Sequence, residues 1–126
     1  MSTFLFFTGN TFSITPSVAL LLGAAIVEES ARLIFLIQLA KQHPRATSIF
    51  HAIFFALGFI VAELSLLALS PADLPDFSLV AKMALVHLLG TAILYMGLRY
   101  QKNAPLSPYV ALFLAVLFHT LYNASL

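Results

Sequence analysis

Residues 48–69 read SIFHAIFFALGFIVAELSLLAL, a run in which Glu63 is the only charged residue. At about 1.5 Å per residue, a helix of this length measures about 33 Å and can cross the roughly 30 Å hydrocarbon core of a bilayer. Comparable apolar stretches cover about residues 16–40, 77–98 and 108–122. The sequence therefore predicts an all-α integral membrane bundle of about four transmembrane helices.

The composition supports a membrane protein made of one domain. Of the 126 residues, 61% are hydrophobic and only 9% are charged, whereas about a quarter of the residues in an average soluble domain are charged. This length accommodates a single helical domain over residues 1–126. The absence of cysteine excludes disulfides, thiolate metal sites and a cysteine nucleophile. The net charge of +1 offers no surface for nucleic acid.

The basic residues predict the orientation of the helices. Lys41 and Arg45 lie between the first two spans, and Arg99 and Lys102 lie between the last two. Because cytoplasmic loops carry an excess of Lys and Arg, both loops are expected on the cytoplasmic side. We expect a multi-pass protein of the cell (inner) membrane, with the lipid bilayer as its constant partner.

Each predicted span carries polar side chains that a bilayer disfavours. A charged residue at the centre of a membrane helix costs about 2.5 to 3.5 kcal/mol, so such residues are usually functional. Counted along the helices, Glu28, Glu63, His87 and His119 lie about 16 to 22 Å from the cytoplasmic ends of their spans. We therefore predict that these side chains form one intramembrane site. The candidate site residues are Glu28, Glu29, Glu63, His87, His119 and Asn123.

Several of the polar and small residues have simpler interpretations. Arg32 follows the glutamate pair by about one turn, so we expect it to support the site by neutralising a carboxylate. His51, near the cytoplasmic end of its span, is expected to be an interfacial histidine. Gly58, Gly90 and Gly97 are interpreted as positions where helices pack closely.

The order of the motifs resembles that of a known superfamily. The motifs are Glu28-Glu29-Ser30-Ala31-Arg32, Phe59-x-x-x-Glu63, His87 and His119-x-x-x-Asn123. In this order, one per helix, they resemble the glutamic-type intramembrane proteases. That superfamily includes the CaaX protease and bacteriocin-processing group and the PrsW-like proteases, and the anterior-pharynx-defective subunit of gamma-secretase is a relative. The chain departs from the CaaX pattern by having two residues, not three, between the Glu pair and Arg32, and by Met83 at the position of a phenylalanine.

The resemblance implies a hydrolytic mechanism without a cofactor. Glu28, or alternatively Glu29, would be the general base that removes a proton from a water held together with His87. Glu63 would orient that water or His87.

His119 and Asn123 would donate hydrogen bonds to the oxyanion that develops on the scissile carbonyl. Zinc is the alternative, with His87, His119 and a glutamate as ligands. The chain lacks the local His-Glu-x-x-His spacing that is typical of such sites.

Three classes of function fit these residues. The first is a glutamate-dependent peptidase that hydrolyses a membrane-embedded or membrane-proximal peptide. The second is a non-catalytic scaffold, in which the same side chains join the helices and the bundle binds a partner subunit or a second copy of itself. The third is a proton or small-solute transport module, for which an intramembrane Glu/His chain is also suitable.

Overall fold

The computed structural model describes residues 17–42, 49–69 and 76–125. These residues form four α-helices, and they contain no strand. The helices are α1 (Val18–Gln42), α2 (Ile49–Ala68), α3 (Phe77–Tyr100) and α4 (Ser107–Ala124). The predicted all-α architecture is therefore confirmed, with helix ends within about two residues of the predicted ones. The predicted helix start at Pro16 lies outside the described residues.

Local sequence signals account for the helix ends. The carboxylate of Asp76 accepts a hydrogen bond from the backbone N–H of Leu79 at 2.7 Å and so caps the start of α3. Pro108 lies in the first turn of α4, where the missing N–H of proline costs nothing. Lys41 and Arg99 lie in the last turns of α1 and α3, where a positive charge complements the helix dipole.

Three of the helices, α2, α3 and α4, are long and apolar enough to cross a membrane. The helix α1 has 25 residues but carries Glu28, Glu29 and Arg32 near its middle. It nevertheless presents large apolar side chains outward, since Val27 and Ile34 are 65% and 60% exposed. Polar groups inside and apolar groups outside are the arrangement expected of a bundle that lies in lipid.

The packing order of the helices places α3 in the middle. It contacts the other three helices, and α1 also packs against α4. The apolar core contains Leu33, Leu36, Ala52, Leu94, Ala111 and Ala115. All six lie toward the predicted cytoplasmic ends of their helices, so the polar side chains occupy the adjoining level of the bundle.

Two of the three glycines are close-packing positions, as predicted. A Cβ atom at Gly97 would lie 2.4 Å from the Cβ atom of Ala111, so α3 and α4 approach closely there. A Cβ atom at Gly90 would lie 3.4 Å from Arg32 Nη1 and from Glu29 Oε2. The prediction for Gly58 is wrong, because nothing lies within 4 Å of its added Cβ atom. Gly58 is exposed on the side of α2 that no other helix covers.

Candidate active site

All four helices contribute side chains to one group of polar residues inside the bundle. We call this group the polar cluster, and it contains Glu28, Glu29 and Arg32 of α1, Glu63 of α2, His87 of α3 and His119 of α4. Most of these side chains are buried, and Glu29 and Arg32 are 0% exposed. Glu28 and Glu63 are the two members that remain partly accessible, at 16% and 26% of their side-chain surface.

Arg32 lies at the centre of the polar cluster. Its Nη1 donates to Glu29 Oε1 at 2.8 Å, and its Nη2 contacts both Glu28 Oε1 and His87 Nδ1. The guanidinium also lies 4.8 Å from the centre of the Phe59 ring, a cation–π geometry. One positive charge thus contacts two adjacent carboxylates and connects α1 with α2 and α3. The expected pairing with a carboxylate is present, but the bond to His87 and the contact with Phe59 were not predicted.

His87 has a partner at each ring nitrogen. A guanidinium carries only donors, so Nδ1 of His87 accepts from Arg32 and the ring proton resides on Nε2. That Nε2–H donates to Glu63 Oε2 at 2.5 Å. Both ring nitrogens are occupied by protein groups, which leaves neither free to hold a water in this arrangement. Glu63 therefore contacts His87 directly, and the two roles suggested for Glu63 stay predictions.

Glu29 and His119 form a second buried pair. His119 Nδ1 donates to Glu29 Oε1 at 2.8 Å, and the same oxygen accepts from Arg32. In a neutral imidazole whose Nδ1 carries the proton, Nε2 is an acceptor. The hydrogen bond to Glu29 therefore makes Nε2 the ring nitrogen of His119 that can accept a hydrogen bond.

The carboxylate of Glu28 lies near the rings of both His87 and His119. Glu28 Oε2 lies 3.8 Å from His119 Nε2, which is too far for a direct hydrogen bond. Glu28 Oε1 lies 3.6 Å from His87 Nδ1 in addition to its contact with Arg32. The carboxylate thus faces two imidazoles while part of it stays accessible. Glu29, which is fully buried, has no such access.

Two further buried polar side chains follow the histidines of the cluster along their helices. Asn123 is 8% exposed and follows His119 by one turn on the same face of α4. Thr91, which the sequence reasoning missed, is 1% exposed and follows His87 by one turn on α3. Within the described part of the chain, Thr91 Oγ1, Arg32 Nε and Glu29 Oε2 are buried without a hydrogen-bond partner. The i,i+4 spacing from His87 was the signal that could have identified Thr91.

The polar cluster does not have the form of a metal centre. In residues 17–42, 49–69 and 76–125, no group of three His, Asp or Glu side chains is arranged to hold a metal ion. The guanidinium of Arg32 lies among Glu28, Glu29 and His87, and its positive charge would repel a cation there. The geometry gives no support to the zinc alternative.

Two further features lie away from the cluster. His51 is exposed near the start of α2, outside the group. An apolar groove of about 600 Å³ runs between α3 and α4 and is lined by residues such as Ile93, Met96 and Val110. It contains no member of the polar cluster.

Comparisons with known proteins add no assignment. No family model matches the chain, and no curated protein or solved structure matches it either. The chemistry of the polar cluster therefore carries the functional argument.

Proposed function

We propose that this protein is a glutamate-dependent intramembrane peptidase that hydrolyses a membrane-embedded or membrane-proximal peptide bond. The observation that carries the proposal is the pair of atoms Glu28 Oε2 and His119 Nε2, 3.8 Å apart inside the bundle. Both atoms are acceptors when the glutamate is ionised and the histidine is neutral. The resemblance of the motifs to glutamic-type intramembrane proteases points to the same chemistry.

Two acceptors at this separation are suited to holding one water molecule. A water between them would donate one hydrogen to Glu28 Oε2 and the other to His119 Nε2. Its oxygen lone pairs would then point toward a peptide carbonyl. As the oxygen bonds to the carbonyl carbon, Glu28 takes the proton, and that proton passes to the amine nitrogen when the C–N bond breaks.

The neighbouring side chains hold this pair in place. Glu29 accepts from His119 Nδ1 at 2.8 Å and so keeps Nε2 directed at Glu28. Arg32 binds the other oxygen of Glu28 and so holds the carboxylate in place. Full burial of Glu29 favours Glu28 as the base, because a general base must reach the water that it deprotonates.

These contacts change two roles that the family resemblance implies. His119 donates its Nδ1–H to Glu29, so holding the water suits it better than donating to an oxyanion. His87 is bound at both nitrogens and instead positions Glu63 and Arg32. Asn123 keeps the role of oxyanion donor, since its amide N–H groups lie one turn from His119 on the same helix face.

The apolar helices support a membrane setting for the proposed peptidase. The proposed protein is a multi-pass component of the cell (inner) membrane, with α1 as a fourth span beside α2, α3 and α4. The pairing of Glu28 and Glu29 with Arg32 lowers the cost of placing α1 in lipid, because opposite charges in contact are less costly than isolated ones.

A scaffold function is the second candidate, and one observation favours it. Arg32 of α1 contacts Phe59 of α2 and His87 of α3, and these contacts would also stabilise a bundle that has no enzymatic role. A scaffold needs the charge pairing but not the accessible carboxylate of Glu28.

A cleavage screen separates the two candidates. Purified protein in lipid is incubated with a pool of single-span membrane peptides, and products are identified by mass spectrometry. We expect wild type to release fragments and Glu28→Gln to release none while keeping its helical content and its thermal unfolding temperature. If wild type cleaves nothing and Glu28→Gln changes only self-association or partner binding, the scaffold function replaces the peptidase.

A further inference from the structure

The apolar groove between α3 and α4 has a floor made of small residues. We call it the α3/α4 groove, and its lining includes Ile93, Met96 and Gly97 of α3 and Ser107, Val110 and Ala111 of α4. Gly97 and Ala111 are buried, so they form the floor. Met96 and Val110 are 44% and 55% exposed and lie at the walls. Ser107 Oγ donates to the carbonyl oxygen of Gly97 at 2.6 Å, so these two polar groups are already paired and the floor presents mainly hydrocarbon to an occupant.

The groove is about as long as one acyl layer of a bilayer. Its lining on α3 extends from Leu89 to Tyr100, which is about 16 Å along the helix axis. Half of the roughly 30 Å hydrocarbon core is about 15 Å. Both helices are long and apolar enough to cross a membrane, so in a bilayer the groove would face the acyl chains of a single leaflet.

One end of the groove is basic. Arg99 follows Ala92, which lines the groove, by two turns and therefore lies on the same face of α3. Lys102 lies in the turn that closes this end, where the N–H of Ala104 donates to the carbonyl oxygen of Tyr100 at 3.0 Å. Tyr100 and Ala104 both line the groove, and Arg99 and Lys102 are exposed. Two positive charges therefore lie where the groove ends.

The basic end has no acidic residue near it in the sequence. Residues 77–126 contain no Asp or Glu. Of the five acidic residues in the chain, Glu28, Glu29 and Glu63 belong to the polar cluster, and the other two precede α3. The basic end is therefore complementary in charge to an anionic ligand.

We propose that the α3/α4 groove binds an anionic phospholipid, with one acyl chain along the groove and the phosphate at Arg99 and Lys102. Arginine binds phosphate through paired N–H groups, and lysine binds it as a point charge. Basic pockets between membrane helices bind anionic headgroups in the same way. The inference requires the helices to lie in a bilayer, but it does not depend on the proposed peptidase function.

A second copy of the chain fits the groove less well than such a lipid. Copies inserted in the same direction have their basic ends at the same level of the membrane. Contact along α3 and α4 would therefore bring Arg99 and Lys102 close to the same residues of the other copy, and like charges in contact are costly. A zwitterionic phospholipid offers the same acyl chains but no net charge to the basic end. An anionic phospholipid satisfies both parts of the site.

Competition between two lipids tests the basic end. The full-length protein is purified in mild detergent and given equal amounts of phosphatidylglycerol and phosphatidylcholine with the same acyl chains, and native mass spectrometry reports which lipid stays bound. We expect wild type to retain one phosphatidylglycerol with a preference of at least about tenfold. Arg99→Gln and Lys102→Gln should each lower that preference about fivefold. Lys82→Gln, which removes one positive charge near the other end of α3, should leave it unchanged.

A bulky substitution tests the groove itself. Val110→Trp should lower the retention of phosphatidylglycerol at least about threefold, because the indole takes space from the acyl chain and removes its contacts. Val61→Trp is the matched control and should retain the lipid as wild type does, since Val61 is 62% exposed on α2, a helix that contributes no residue to the described lining. Both variants should keep the helical content of wild type in circular dichroism. If Val110→Trp does not fold, Met96→Trp takes its place at another exposed wall position.

Several other results would overturn the proposal. Equal retention of the two lipids, or equal losses in Lys102→Gln and Lys82→Gln, would show that the basic end does not select the lipid. Unchanged retention in the folded tryptophan variant of the groove would place the lipid elsewhere. Displacement of the lipid by inorganic phosphate would identify a free anion as the ligand. A lipid-free dimer that Val110→Trp dissociates would make a second copy the occupant.

Discussion

Replacing Arg32 by methionine should destabilise the bundle severely. The Arg32 side chain is fully buried, and Glu29, to which it donates at 2.8 Å, is fully buried too. Methionine preserves much of the side-chain volume but leaves Glu29 beside Glu28 without a compensating charge. Removing one partner of a buried ion pair typically costs about 3 to 5 kcal/mol, so Arg32→Met should lower the free energy of unfolding by about that amount.

A double-mutant cycle separates the lost charge pairing from lost packing. Adding Glu29→Gln removes the uncompensated charge, so the double variant should be more stable than Arg32→Met alone, with a coupling energy of about 1 to 3 kcal/mol. The assay is equilibrium unfolding in mixed micelles, followed by far-UV circular dichroism. Lys41→Met is the control, because Lys41 is exposed at the end of α1 and should change stability by less than about 0.5 kcal/mol. A cost below about 1 kcal/mol for Arg32→Met would refute the reasoning.

Three further outcomes are expected. Gly97→Ala should destabilise the protein by about 1 to 3 kcal/mol through overpacking. Gly58→Ala, in open space, should stabilise the protein by about 0.5 to 1 kcal/mol. Equal effects of the two variants in thermal unfolding would contradict the packing described for α3 and α4. Asn123→Ala should lower kcat by on the order of a hundredfold, about 3 kcal/mol, with little change in KM; a pure KM effect in steady-state kinetics would remove its oxyanion role. Cysteines at Gln42 and Asn103 should be labelled by a membrane-impermeant reagent only from the cytoplasm, and labelling from opposite sides would refute the proposed topology.

The sequence predicted the helices and their polar residues well, because both depend on local patterns. The length of each apolar run, and the positions of Pro, Lys and Arg between the runs, predicted where the helices begin and end. The starts of α3 at Phe77 and of α4 at Ser107 are examples. Counting residues from the helix ends was enough to suggest that Glu28, Glu63 and His87 lie at one level. The structure brings these three side chains together.

The remaining features depend on how the helices are rotated about their axes. The i,i+3 spacing predicts that Arg32 pairs with Glu29, but not that its second nitrogen reaches His87 on α3. The tautomer of His119 follows from its tertiary contact with Glu29. Gly58 was misinterpreted for the same reason, since a glycine in a membrane helix packs closely only if another helix lies on that side.

The most direct test of the proposed chemistry is a single turnover in oxygen-18 water. If Glu28 activates a water that attacks the peptide carbonyl, the new carboxyl terminus carries one oxygen-18 atom after the first turnover, and Glu28→Gln yields no product. Unlabelled product from that first turnover would mean that a carboxylate oxygen of the protein attacks the carbonyl. Oxygen-18 product at the wild-type rate from Glu28→Gln would show that Glu28 is not the base. Either result would contradict the role assigned here to the Glu28–His119 pair.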